Sequence, residues 1–245
     1  MLLISQAVGL VGMLCVAVVV GGTPSGADLA YGALAGLAGA AGVAMLYRGL
    51  ASGSMSLIAP ITGVVAVMVP IAVGVGGGER PAILQYAGIA AAVAAVALLS
   101  WGGTRGARLG RGALLLALGA GIGFGLFYIA IARTSTGANL WPLVTARGAS
   151  VSALLGVAGI TRSAPSFGAA RPLVIVGAGV FDVTANALYL FAVHGGLLSI
   201  VAVLVSLYPV ATVLCSVIVL GERLRMAQLA GVGAATIAVV LITAG

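Results

Sequence analysis

Residues 78–88 read GERPAILQYAG, and residues 221–231 read GERLRMAQLAG. Both run Gly-Glu-Arg, four residues, Gln, two residues, Gly, and the second copy begins 143 positions after the first. The chain holds only four acidic residues, and two of them, Glu79 and Glu222, stand in this one phrase. What the phrase does depends on what flanks it.

The flanks are apolar. Of 245 residues, 62% are hydrophobic and 6% charged, with a mean hydropathy of +1.28. A soluble domain carries roughly a quarter charged residues, so these few charges cannot solvate a globule of this size and most of the surface must face lipid. Thirty-nine glycines and only 5% aromatics suit helices that approach one another closely in a membrane. A bilayer-crossing helix needs about 20 apolar residues. Runs of that length predict spans at 3–21, 29–48, 55–75, 82–101, 112–132, 140–160, 172–193, 197–219 and 227–244. They show no strand-like alternation, which excludes a barrel and leaves an all-α polytopic membrane protein of about nine transmembrane helices. The first run, MLLISQAVGLVGMLCVAVVVGG, lacks a positive leader and is broken by Ser5 and Gln6, so it reads as a retained span rather than a cleaved signal.

Charge gives orientation. All eleven basic residues are Arg. Arg48, Arg105, Arg108, Arg111, Arg162, Arg171, Arg223 and Arg225 fall on one side of the spans, Arg80 and Arg133 on the other, and Arg147 within one. The positive-inside bias puts the 102–111 connection in the cytoplasm, the N-terminus inside and the C-terminus outside, in a cytoplasmic cell membrane. The net charge of +7 is explained by this bias and implies no nucleic acid.

Aligning the two phrases brings other segments into register. LISQAVG from Leu3 matches LVTARGA from Leu143, and MLYRGLASGSMSLIAP from Met45 matches ALYLFAVHGGLLSIVA from Ala187. The chain therefore divides into a first repeat, 1–101, the Arg-rich connection 102–111, and a second repeat, 112–245. An odd number of spans separates each position from its counterpart, so the copies enter the membrane from opposite faces. That is an inverted-topology repeat, the arrangement from which many secondary transporters build alternating access. Within each phrase, Gly78 and Gly221 are expected to end a helix in a left-handed conformation. Glu79 and Glu222 are expected to complement the dipole of the helix that follows, and Gly88 and Gly231 to permit close packing.

At these residues the chain resembles an EamA-type transporter of the drug/metabolite transporter superfamily. The resemblance is carried by SIVAVLVSLYPVATVLCSVIVLGERLRMAQLAGVGAATIAVVLITAG (199–245) and by SLIAPITGVVAVMVPIAVGVGGGERPAILQYAGIAAAVAAVALLS (56–100). It implies ten helices in two inverted five-helix repeats around a central cavity, used mainly to export metabolites or drugs. The first half begins directly at LISQAVG, so the resemblance implies a first repeat of four helices, lacking its first.

Asp182 is the only acid deep within an expected span, in GAGVFDVTANALYLFAV. Such a group costs about 2.5–3.5 kcal/mol to insert and faces a cavity or a partner. Asn186 and Tyr189 follow at i+4 and i+7, on the same helix face. Asp182 is expected either to bind a proton or a cationic substrate group, with hydrogen bonds from Asn186 and Tyr189, or to pair with Arg147 on the preceding helix. Arg147, an Arg often found at this place in the family, has its first-half counterpart near Gln6, so the repeat does not preserve its charge. Tyr47 and Tyr189 correspond across the halves as cavity or interface aromatics, and Ser206 and Tyr208 are weaker cavity candidates. Pro60, Pro70 and Pro209 interrupt helices and suit bending. The glycines of the 119–125 series, with Gly32 and Gly36, offer faces for helix contact.

Other classes find little support. GVGVGGGE lacks the strand, Lys and Ser/Thr of a phosphate loop. An intramembrane enzyme would need clustered carboxylates or a Ser/His pair, whereas the acids are scattered and His194 has no matching Ser motif. A pore would show rings of polar residues. Cys15 and Cys215 imply no disulfide and no metal site. The expected partners are lipid and a small-molecule substrate, with no cofactor, and a homodimer is left open.

Overall fold

The computed structural model describes residues 2–51, 55–100, 110–161, 172–207, 210 and 226–245. Among these, every regular element is helical. The helices are α1 (Leu2–Val20), α2 (Gly26–Ala51), α3 (Met55–Gly76), α4 (Ile83–Ser100), α5 (Arg111–Ala132), α6 (Trp141–Thr161), α7 (Pro172–Gly195), α8 (Leu198–Ser206) and α9 (Met226–Ala244), with a 3₁₀ turn at Thr136–Ala138. Stretches within five of them, α2, α5, α6, α7 and α9, are long and apolar enough to cross a bilayer, and α1, α3 and α4 contain shorter apolar stretches. Most described helix ends lie within a few residues of those read from the sequence, but α8 stops at Ser206, so the span expected at 197–219 is not one continuous helix.

The chain forms two compact units, and each draws on both halves of the sequence. The first comprises residues 1–40 and 126–195, and the second 41–125 and 196–245.

In the first unit, α1, the N-terminal part of α2, α6 and α7 pack through small residues. Gly36 lies directly on the Ala146 carbonyl of α6, and Gly32 on Pro142 and Thr145, with no room for a Cβ at either. Without a solvent-driven hydrophobic term between helices in lipid, such close backbone approach is a main source of association. The start of α2 is fixed by a capping box. The Ser25 hydroxyl accepts from the Asp28 N–H at 3.2 Å, and the Asp28 carboxylate accepts from the Ser25 N–H at 2.8 Å. Asp28 is buried, and it also takes the Ser135 N–H at 2.7 Å and the Ser135 hydroxyl at 2.9 Å. One carboxylate thus joins the start of α2 to the turn after α5.

In the second unit, α3, α4, α8 and α9 enclose an aliphatic core that includes Val67, Ala92, Val96, Val203 and Ala238. Helices α4 and α9 run antiparallel, and their contacts are reciprocal. A Cβ at Gly88 would meet Ile242 Cγ1 at 2.7 Å, and one at Gly231 would meet Leu99 Cγ at 2.7 Å. Ile242 follows Leu99 by the same 143 positions that separate Gly231 from Gly88. Gly88 and Gly231 therefore permit the close packing that the sequence asks of them.

The first copy of the phrase can now be read residue by residue. Gly78, at φ +107°, ends α3 in a Schellman turn: the Glu79 N–H donates to the Gly74 carbonyl and the Gly78 N–H to that of Val75. A side chain at that φ would be strained, so glycine belongs there. Gln85 caps α4 by accepting the Ala82 N–H at 2.9 Å. Glu79 departs from expectation. Its carboxylate leaves the following helix to Gln85 and instead covers the first turn of α8, accepting the Leu198 N–H at 2.6 Å and the Ser199 N–H at 3.0 Å. Leu197, the N-cap residue of α8, offers no side-chain acceptor. Those orphan donors are satisfied from a distant corner. The space for the carboxylate comes from Gly74, where a Cβ would collide with it. In the second copy, Gly221 and Glu222 lie outside the described residues.

Candidate functional site

The site lies within the first unit, where α1, α6 and α7 meet. Gly9 on α1 has no side chain to hold the neighbours off: a Cβ there would stand 3.2 Å from Val183 of α7 and 3.9 Å from Arg147 Nε of α6. One helical turn earlier, on the same face of α1, is Gln6. Arg147 projects into this corner and bonds in two directions. One guanidinium nitrogen pairs with the carboxylate of Asp182 and another donates to the Gln6 amide oxygen. Asp182 is in turn held by Asn186, whose amide nitrogen donates to the carboxylate at 3.1 Å and to the Asp182 main-chain carbonyl at 2.7 Å.

The two charges are not equally enclosed. The Arg147 side chain is 11% exposed and that of Asp182 50%. The cation is thus the inner member of the pair and the carboxylate the outer one. A guanidinium bound to a carboxylate makes the stronger, charge-assisted kind of hydrogen bond. Pairing also removes the need for either charge to stand alone in an apolar setting.

Of the residues singled out by sequence, the structure brings together Arg147, Asp182 and Asn186. It adds Gln6, which sequence reading noted only as lying near Arg147's counterpart. Its signal was a polar amide interrupting the apolar start of α1. Tyr189 shares the helix face of Asp182 but not its network. It is buried, its hydroxyl donates to the Tyr128 carbonyl at 2.8 Å, and its ring packs on that of Tyr128 at 4.8 Å. Its counterpart Tyr47 is exposed and lies in the other unit. Ser206, also in the other unit, is buried and donates to the Val203 carbonyl at 2.6 Å. Pro60 lies within α3. Tyr208 and Pro209 fall outside the described residues. His194, at the end of α7, has Nε2 3.3 Å from the Thr134 hydroxyl.

Asp28 and Glu79 are the acids whose roles sequence reading missed. Glu79 is spent on main-chain donors 119 and 120 residues away, and Asp28, beyond its local capping box with Ser25, on Ser135 107 residues away, which no local motif announces.

Apolar helices that pack through glycines around a charged pair define a polytopic membrane protein. Residues 111–244 match the model of the EamA-like transporter family, and the chain belongs to that family. A solved structure described as "Crystal structure of protein" shares the fold, with a TM-score of 0.56 at 19% identity, over 99% of this chain and 97% of that one. No curated protein matches the sequence.

Proposed function

We propose that this protein is a secondary transporter that carries a small polar molecule out across the cytoplasmic membrane by alternating access. The observation that carries this reading is the Arg147–Asp182 pair, with Gln6 and Asn186 beside it, in a member of a transporter family. Ionisable groups are retained within membrane segments mostly where they bind or relay something. With no phosphate-binding loop in the sequence, the driving force is an ion gradient, exchange or the substrate's own gradient.

The halves 1–101 and 112–245 act as inverted repeats in this reading. Support comes from α4 and α9, antiparallel helices that exchange the same glycine contact at one sequence offset. Two copies related by a two-fold axis in the membrane plane generate such contacts, and rocking of one repeat against the other opens the site to each side in turn.

The test is metabolite profiling of medium and cells that express the wild-type chain or the Arg147→Gln/Asp182→Asn double variant at equal membrane levels. The proposal expects one or more small polar metabolites to accumulate in the medium with the wild type only. Identical profiles would remove it.

A further inference from the structure

We propose that Gly195 and Gly196 form a hinge at which α7 swings relative to α8, and that Glu79 is the latch that holds this hinge in the conformation described. The proposal concerns conformation and does not rest on the transport reading.

The chain passes between the two units at three places: Ala40 to Ala41, Gly125 to Leu126, and Gly195 to Gly196. The first two lie inside α2 and α5, which run through them unbroken. A continuous helix bends only gently unless something interrupts it. The third falls at the break between α7 and α8, so freedom to reorient is concentrated there. Gly195 has neither of the usual structural reasons for glycine. Its φ is not left-handed, and a Cβ there would meet nothing within 4 Å. What remains is a backbone with no side chain to restrict it.

Polar contacts clamp both sides of the joint. On the α7 side, His194 Nε2 stands 3.3 Å from the Thr134 hydroxyl, whose single proton goes to the Ile131 carbonyl at 2.8 Å. Toward the ring that hydroxyl can only accept, so Nε2 donates. On the α8 side, the Glu79 carboxylate takes the Leu198 and Ser199 N–H groups. Between the clamped residues lie only Gly195, Gly196 and Leu197.

A helix that simply starts here could carry its own cap, as α2 does with Ser25. Instead the first turn of α8 depends on the α3–α4 corner staying in place, which makes the cap conditional. The latched arrangement is also imperfect. The Ser199 hydroxyl, fully buried in the first turn of α8, has no hydrogen-bond partner among the described residues. Moving that turn away from Glu79 gives up two charge-assisted bonds and frees the hydroxyl to find a partner. Losses and gains of the same kind keep the two arrangements close in free energy, which is what a two-state joint requires. Helix α7 carries Asp182 and Asn186, so the swing turns the acidic half of the charged site with it.

The experiment is double electron–electron resonance between nitroxides at Leu188→Cys on α7 and Ile83→Cys at the start of α4, both exposed positions. It uses the full-length chain in nanodiscs, with Cys15 and Cys215 replaced by Ser. The latched chain should give one dominant distance and a minor second one. Glu79→Ala should raise the second population about fivefold or more, as loss of a cap implies. Glu79→Gln, which keeps an acceptor oxygen, should raise it less and serves if the alanine variant fails to fold. Thr134→Val removes the acceptor for His194 and should raise it too, with Glu79 untouched. Gly195→Ala/Gly196→Ala should suppress it, even beside Glu79→Gln, because alanine narrows the backbone's freedom. Unchanged distances in the Glu79 and Thr134 variants would reduce Glu79 to a static cap and overturn the proposal. A second distance that survives in the alanine pair would place the motion elsewhere and overturn it as well. Flux plays no part in the readout, so failure of the carrier reading leaves this test intact.

Discussion

The carboxylate of Glu79 accepts the main-chain N–H of Leu198 at 2.6 Å, across 119 residues of sequence. It is a helix cap supplied from another part of the chain, and it ties the α3–α4 corner to the start of α8. A helix beginning at this point without an acceptor would leave its first N–H groups unsatisfied away from water.

Replacing Glu79 by Ala should therefore destabilise the second unit by about 1–2 kcal/mol, the range of a lost N-cap. Glu79→Gln keeps an acceptor oxygen and should recover part of that loss. Unfolding of the purified variants in detergent measures both. Equal stability of the alanine variant and the wild type would show that the contact contributes nothing.

Asp28 gathers donors from Ser25 and Ser135 into a buried position. Asp28→Ala strands the Ser25 and Ser135 N–H groups together, and each lost hydrogen bond to a charged acceptor costs about 1.5–3 kcal/mol. The expected result is a larger fall in melting temperature than for Asp28→Asn, which retains one acceptor oxygen. A smaller fall would place the stabilising groups elsewhere.

Gly36 and Gly12 give a matched pair. A Cβ at Gly36 collides with the Ala146 carbonyl, whereas one at Gly12 meets nothing within 4 Å. Gly36→Ala should cost about 1–3 kcal/mol through forced separation of α2 and α6, and Gly12→Ala should be neutral or mildly stabilising, as alanine favours helix. Thermal unfolding of the two variants side by side checks the difference.

The reciprocity of α4 and α9 predicts equal effects from different positions. Gly88→Ala presses on Ile242 and Gly231→Ala on Leu99, each from 2.7 Å. Their destabilisations should agree within about 0.5 kcal/mol, the usual tolerance for independent comparisons. A large difference would mean that the two contacts are not equivalent in solution.

The sequence announced the helices because hydrophobic run length in a membrane is nearly a direct reading of span. It also announced Gly78, Gly88 and Gly231, whose roles are local or depend on size alone. Pairing of Asp182 with Arg147 was one of the two readings that the sequence left open, since an acid and a base on neighbouring helices have few other partners in a membrane. The destination of Glu79 and the reach of Asp28 to Ser135 were illegible. A carboxylate can satisfy any helix start within reach, and which one lies in reach is decided by tertiary packing. Tyr189 is a similar case. Helical spacing places it on that face, but the neighbouring carbonyl of Tyr128 captures its hydroxyl.

The most direct test of the central claim, that two oppositely oriented halves form a carrier, is sidedness of the duplicated phrase. In a background with Cys15 and Cys215 replaced by Ser, Ala82→Cys reports on the first copy and Leu224→Cys on the second. A membrane-impermeant maleimide applied to intact cells and to inside-out vesicles should label Ala82→Cys from the outside only and Leu224→Cys from the inside only. Labelling of both from the same face would contradict the account.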